Sequence, residues 1–257
     1  EGSASTPKEG CGPNLAQAVA VLPLGSVEAH GPHLPIGTDT ILAERLLDRA
    51  EPALHRDTIT VLRLPALWLG ASVEHVGQRG TASVDAEIVV ANVSAVAAAM
   101  SRLGVCRLIL WNAHGGNVAA LAIAALAARR SHGLLVANAH WLDFGVPPSL
   151  ALPTPVREDV HGGWMETSLM LELAPDLVVP GAIEANPPRQ LASCLYPYGP
   201  IDWAWLSEDL ASGGWAGRPD LATADLGRAL SEHITLGVIQ LVQDLAGTLW
   251  PQATGGD

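Results

Sequence analysis

Apolar and polar positions alternate along this chain in short blocks, and the blocks change period. Residues 18–24 (AVAVLPL) form a short apolar run that reads as a buried strand. Residues 41–50 carry the helical period, with Thr38 or Asp39 as the expected N-cap. A second strand is expected over 58–64 (TITVLRL) from its β-branched content. A helix over 85–103 starts at Asp85 and stops at Gly104. A strand over 105–111 (VCRLILW), a helix over 118–130 and a strand over 133–139 follow. Strands alternating with helices predict an α/β fold, with a mostly parallel sheet covered on both faces.

The second half is less regular. Residues 140–160 read as a Pro-rich loop, a helix enters near Trp164 and ends at Pro175, and a last helix spans about 223–249. The segment 180–220 is a long loop with Tyr196, Tyr198, Trp203, Trp205 and Trp215. So many aromatics in one loop suit a pocket wall or a subunit contact. Residues 1–14 are small, polar and rich in Gly and Pro, and read as a disordered or processed tail. Residues 15–257 then make one domain.

Composition narrows the function. The net charge is −12 and Lys8 is the only lysine, which argues against nucleic acid and anionic membranes as partners. No apolar run is long enough to span a bilayer. Three scattered cysteines (Cys11, Cys106, Cys194) suggest neither a disulfide framework nor a Cys metal site. No secretory signal pattern is visible, so a cytoplasmic protein is expected.

The candidate chemistry lies in polar loops at predicted strand ends. GSVEAHGPHLPIGTDT, residues 25–40, brings together Glu28, His30, His33 and Asp39, and its glycines and prolines keep it irregular. Glu28 and His30 are two apart, so in extended backbone their side chains share a side. Carboxylate oxygen with imidazole nitrogen suits Zn, Mn or Fe(II). NAHGGN, residues 112–117, places His114 before Gly115 and Gly116, whose amides open a helix and could hold a carbonyl oxygen that gains charge. His161 and Glu166 flank a further Gly-Gly pair; a Glu in a first helical turn is also ordinary helix chemistry. Singly each motif is weak. Jointly they describe a two-metal hydrolytic centre.

GSVEAHGPHLPIGTDT, NAHGGN and HGGWMETSLML resemble, in order, three blocks of the creatininase (creatinine amidohydrolase) family, over roughly 19–249. The resemblance implies a three-layer α/β/α sandwich, a homohexamer and two divalent metal ions (Zn, Mn or Fe). It implies Glu28 and His114 on one ion, His30 on the other, and Asp39 between them. It further implies attack on an amide carbon by a metal-bound hydroxide, with His161 carrying a proton to the leaving nitrogen. Trp141 matches a tryptophan that lines the creatininase pocket.

Three departures from the creatininase pattern redirect the reading. Gly116 stands where creatininase has a glutamate, and Glu166 is the expected replacement as metal ligand and catalytic group. Arg157 replaces a tryptophan that closes over the flat substrate. Gln78 and Arg79 replace a Phe-Pro pair in the pocket loop, where Glu74 and His75 also stand to face substrate. The expected function is therefore metal-dependent hydrolysis of a non-peptide C–N bond in a small amide other than creatinine. A guanidinium at Arg157 suits an anionic group on that substrate, unless it pairs with Glu158 or Asp159. The alternatives within the family are a biosynthetic formamide hydrolase and a mycofactocin-type precursor-peptide peptidase. Outside enzymes, the alternative is a metal-binding oligomer without catalysis. His33 is expected to shape its loop or to support a metal ligand from behind; His55, His132 and His233 read as surface or capping residues, and Cys106 as core.

Overall fold

Four strands form one parallel sheet in the order β2-β1-β3-β4, comprising β1 (Val19–Leu24), β2 (Val61–Arg63), β3 (Arg107–Asn112) and β4 (Leu135–His140). The computed structural model describes residues 15–55, 59–190, 195–198 and 201–250. The tail expected at 1–14, Cys11, Cys194 and the first residue of the strand expected at 58–64 lie outside the described residues.

Side-chain alternation along the strands builds two separate cores. Val19, Val21, Ile109 and Trp111 face α1 (Thr38–Leu54), α4 (Trp164–Leu173) and α6 (Ala224–Gly247). Ala20, Leu22, Leu24, Leu108 and Leu110 face α2 (Ala86–Arg102) and α3 (Val118–His132). Successive residues of a strand point to opposite faces, so runs buried throughout, such as VAVLPL and RLILWN, need cover on both. Each fully buried Leu or Val contributes about 1.5–3 kcal/mol, which favours this register over a one-residue slip. The result is the expected three-layer α/β/α sandwich.

The helix starts differ from expectation in one instructive place. Neither Thr38 nor Asp39 caps α1; the N-cap is Gly37, without a side-chain bond. The Thr38 hydroxyl instead donates to the Pro35 carbonyl at 2.7 Å, and Asp39 is left inside the first turn. There the helix dipole favours its negative charge while its oxygens stay available. Thr223 does cap α6, accepting from the Leu226 amide at 3.1 Å. Cys106 precedes β3 and is half-buried rather than core. Among its described residues the aromatic loop holds one short α-helix, α5 (Ser207–Leu210).

Register fixes where the site falls. Leu24 pairs with Asn112, and Asn112 with His140, so β1, β3 and β4 end side by side. The chain leaves β1 for β2 on one side and returns to β3 on the other. Sheet order therefore reverses between β1 and β3, where open α/β sheets form a crevice at the strand ends.

Candidate metal centre

Each loop at that reversal delivers side chains to one buried cluster. Glu28 and His30 leave β1, Asp39 opens α1, His114 leaves β3, and His161 and Glu166 flank the start of α4. Glu28, His30, Asp39 and His114 are each no more than 3 % exposed. Asp39 stands between two imidazoles: Oδ1 lies 3.2 Å from His30 Nε2 and Oδ2 lies 3.2 Å from His114 Nδ1. Glu28 Oε2 is 3.2 Å from the same His114 nitrogen. Glu166 Oε1 is 3.9 Å from His30 Nε2.

Backbone carbonyls set the imidazole tautomers. His30 Nδ1 donates to the Glu28 carbonyl at 3.1 Å, which turns Nε2 toward Asp39. His114 Nε2 donates to the Ala71 carbonyl at 2.9 Å, which turns Nδ1 toward Glu28 and Asp39. His161 Nε2 donates to the Ala29 carbonyl at 2.7 Å and turns Nδ1 toward Glu28 Oε1, 3.7 Å away. Such carbonyl partners are the usual means of aiming a ligating histidine.

The α4 end is held by a residue that sequence reading treats only as a surface partner for Arg157. Asp159 accepts from the Trp164 amide at 2.7 Å and the Met165 amide at 2.8 Å, which locks the first turn of α4. Burial pushes the Asp159 carboxyl up to about 6, against those amides. Glu166 Oε2 accepts from the Gly162 amide at 2.6 Å, leaving Oε1 for the cluster. Gly162 has φ +59, the left-handed region, and an added Cβ would meet Trp215 at 2.9 Å. His33 shapes this loop as expected, with Nε2 3.1 Å from the Gly162 carbonyl and 3.0 Å from the Thr167 hydroxyl.

Charge in the cluster is held by protons where cations would serve. Burial disfavours a charged His30 ring, yet Asp39, Glu166 and Glu28 hold its pKa up to about 10. Burial likewise opposes His114, but Glu28 and Asp39 raise it well above the ordinary value. Burial would raise Glu28, and the surrounding histidines, His114 first, outweigh it and hold the carboxyl well below its usual range. His161 goes the other way: burial, then His30 and His75, push it well down, so it stays neutral. Burial lifts Glu166 to about 7.

The chemistry of this donor set fits metal binding. Glu28 Oε2, His30 Nε2 and Asp39 Oδ2 are buried without a hydrogen-bond partner. Among the described residues, three groups of potential ligands have donor atoms within 4.8 Å of one another: Glu28 with Asp39 and His114, His30 with Asp39 and Glu166, and Glu28 with His30 and His161. The first two share Asp39 and divide the remaining residues between two positions. Asp39 offers a different oxygen to each.

The remaining residues named from sequence are placed as follows. His75 is buried, stacks on His161 with ring centroids 4.1 Å apart, and lies 3.9 Å from Glu28 Oε1. Gly115 sits under Tyr198. Gly116 is wedged where an added Cβ would meet the Ala71 carbonyl at 2.2 Å, Glu74 at 2.4 Å and His114 at 2.6 Å. Trp141 is 2 % exposed within the apolar cluster under α1, α4 and α6, stacked on His140. Arg157 pairs with neither Glu158 nor Asp159 among the described residues; its guanidinium lies 4.9 Å over the Tyr196 ring. Arg79 is exposed. Glu74 and Tyr198, both close to the cluster, had no periodic signal beyond their place in polar or aromatic loops.

Fold and site together describe an α/β/α hydrolase type with an acidic, imidazole-lined centre at its sheet reversal. The family described as "Creatininase: Creatinine amidohydrolase" matches residues 12–242, and the chain belongs to the creatininase family. It is 36 % identical over 166 residues to a mycofactocin precursor peptide peptidase of Mycobacterium tuberculosis. That match covers 60 % of this chain and 58 % of the relative's length. The namesake peptidase of Mycolicibacterium smegmatis is 31 % identical over 226 residues, covering 85 % and 82 % of the two chains. Among solved structures, one titled "Creatininase Mn" superposes with a TM-score of 0.76 at 24 % identity, covering 91 % of this chain and 94 % of that one. No helix among the described residues is long and apolar enough to cross a membrane.

Proposed function

We propose that this creatininase-family hydrolase cleaves an amide C–N bond using two divalent ions held by Glu28, Asp39 and His114 on one side and His30, Asp39 and Glu166 on the other. The observation that carries the reading is the Asp39 carboxylate, whose two oxygens each face a different imidazole at 3.2 Å. Bound there, Zn, Mn or Fe would supply Lewis acidity to the amide carbonyl and make water acidic enough to attack near neutral pH.

The chain's own residues do the rest. Glu28 and Asp39 neutralise the cations, and burial keeps competing solvent out. His161, neutral and with Nδ1 turned inward, takes a proton from the attacking water and delivers it to the leaving nitrogen. His75 stacks against His161 and holds its plane. Gly115 borders the substrate side beneath Tyr198, while Gly116 lets the Ala71 carbonyl reach His114. Trp141, buried in the apolar cluster and stacked on His140, would support the site from the core side. Arg157, exposed and over the Tyr196 ring, would favour an anionic group on the substrate.

Creatinine is not the substrate in this reading. Gly116 cannot carry the glutamate of creatininase, and Arg157 stands where its covering tryptophan would be. A small amide is one fit. A peptide amide is a second, favoured by the two peptidase relatives. A homo-oligomer, hexameric by the family resemblance, accounts for exposed apolar residues on α3 such as Ile123 and Leu126. The metal-loaded protein should be assayed on a panel of formamides, cyclic amides and short peptides. Turnover of one class, lost on chelation and in His161→Ala, supports the reading; a fully loaded protein that hydrolyses none contradicts it.

A further inference from the structure

Tyr198 sits in the aromatic loop, yet its hydroxyl reaches the centre. Gly115 follows His114 directly, and a Cβ added at Gly115 would lie 3.3 Å from the Tyr198 hydroxyl oxygen. The phenol therefore overhangs the HGGN turn, one residue from an imidazole of the cluster. The residue as a whole is 43 % exposed, so it spans the distance from solvent to the site. Its hydroxyl has no hydrogen-bond partner among the described residues.

The ring is held from several directions. It meets Trp205 edge-on with centroids 5.8 Å apart, and Trp205 meets His75 in the same way at 5.8 Å. His75 stacks on His161 at 4.1 Å, so one aromatic wall runs from Tyr198 to the proton-carrying imidazole. Trp205 Nε1 donates to the Pro197 carbonyl at 3.2 Å, next to Tyr198 in the chain. On the other flank the Arg157 guanidinium covers Tyr196. A side chain fixed by its neighbours while its polar end stays free is what a substrate contact requires.

We propose that Tyr198 is a substrate-contacting residue whose hydroxyl donates a hydrogen bond to the carbonyl oxygen of the scissile amide. The assignment rests on the amide-hydrolase reading above. Burial of the phenol end, then Glu166, Glu28, Glu74 and Asp39, keep the group protonated, so it is a donor and not an acceptor of the developing charge. His161 then serves the nitrogen of the amide while Tyr198 serves its oxygen. Such a donor binds better as the oxygen becomes an oxyanion. No bond to Tyr198 forms or breaks.

The test is Tyr198→Phe, which keeps the ring and its edge contacts. Two readouts are taken on metal-loaded protein: calorimetric binding of inorganic phosphate as a tetrahedral oxyanion, and kcat on any amide the wild type cleaves. The proposal expects phosphate affinity to fall about tenfold and kcat about 10–100-fold, with metal content and Tm unchanged. Phosphate affinity and kcat within twofold of wild type would overturn it, as would a wild type with no phosphate affinity. If the wild type cleaves no amide, the function reading fails, and the phosphate readout still decides whether Tyr198 is a poised donor.

Discussion

Gly116→Ala is the substitution whose effect the structure defines most sharply. The new methyl would sit 2.2 Å from the Ala71 carbonyl oxygen, 2.4 Å from Glu74 Oε1 and 2.6 Å from His114 Nε2. The Glu74 carboxylate can swing away, but the other two atoms form the 2.9 Å bond that aims His114 at Glu28 and Asp39. Overpacking a rigid site costs about 1–3 kcal/mol. Losing a hydrogen bond to a buried ring costs about 1–3 kcal/mol more. A total of about 2–6 kcal/mol lowers Tm by about 4–24 °C for a chain of this size. The ion held by His114 should weaken as its ring turns, by at least the 10–100-fold that disturbing an orienting partner typically costs. Differential scanning fluorimetry with and without Zn, beside a chelator competition titration, reads both effects. An alanine variant with wild-type Tm and wild-type affinity would show that Gly116 is not wedged and that the Ala71 carbonyl does not set the His114 tautomer.

Other outcomes follow from the same geometry. Glu166→Gln keeps an acceptor for the Gly162 amide but removes the charge facing His30, so one ion per chain should weaken at least 10–100-fold while the other stays; equal retention of both contradicts the assignment. His30 and His114 hold protons in the metal-free protein, His30 up to about pH 10, so loading should release about two protons and affinity should climb from pH 6 to 8. Calorimetry in buffers of different ionisation enthalpy measures this, and zero release refutes the pairing. With the folded pKa of His30 above 6.5, its pairing stabilises the metal-free chain fully below that pH and is lost toward about 10. Arg157→Ala should lower the preference for an anionic amide over its neutral match by about tenfold in kcat/KM, and unchanged selectivity counts against a rim guanidinium.

Much of this architecture is legible in the chain because its signals are local. Mostly apolar runs such as VAVLPL announce doubly covered strands, and the polar loops after β1 and β3 follow their strands directly. Other features depend on partners far away in sequence. Spacing alone makes Asp39 look like a helix cap; the family resemblance implies it between two sites, and the fold sets it between His30 and His114. Asp159 looks like a surface charge beside Arg157, yet it secures the first turn of α4 on which Glu166 depends. Gly116 suggests close approach of a ligand, whereas the close approach is made by the Ala71 carbonyl. Tyr198 carries no period at all; its place is fixed by Trp205 and the HGGN turn, contacts that no spacing rule encodes.

The central claim is a pair of ions sharing Asp39, and elemental analysis of dialysed wild type and Asp39→Asn tests it most directly. After loading with Zn or Mn and exhaustive dialysis, the wild type should retain about two ions per chain, and Asp39→Asn should lose both, since one carboxylate screens two mutually repelling cations. A wild type that keeps fewer than one ion per chain, or an Asp39→Asn protein that keeps both, would contradict the account.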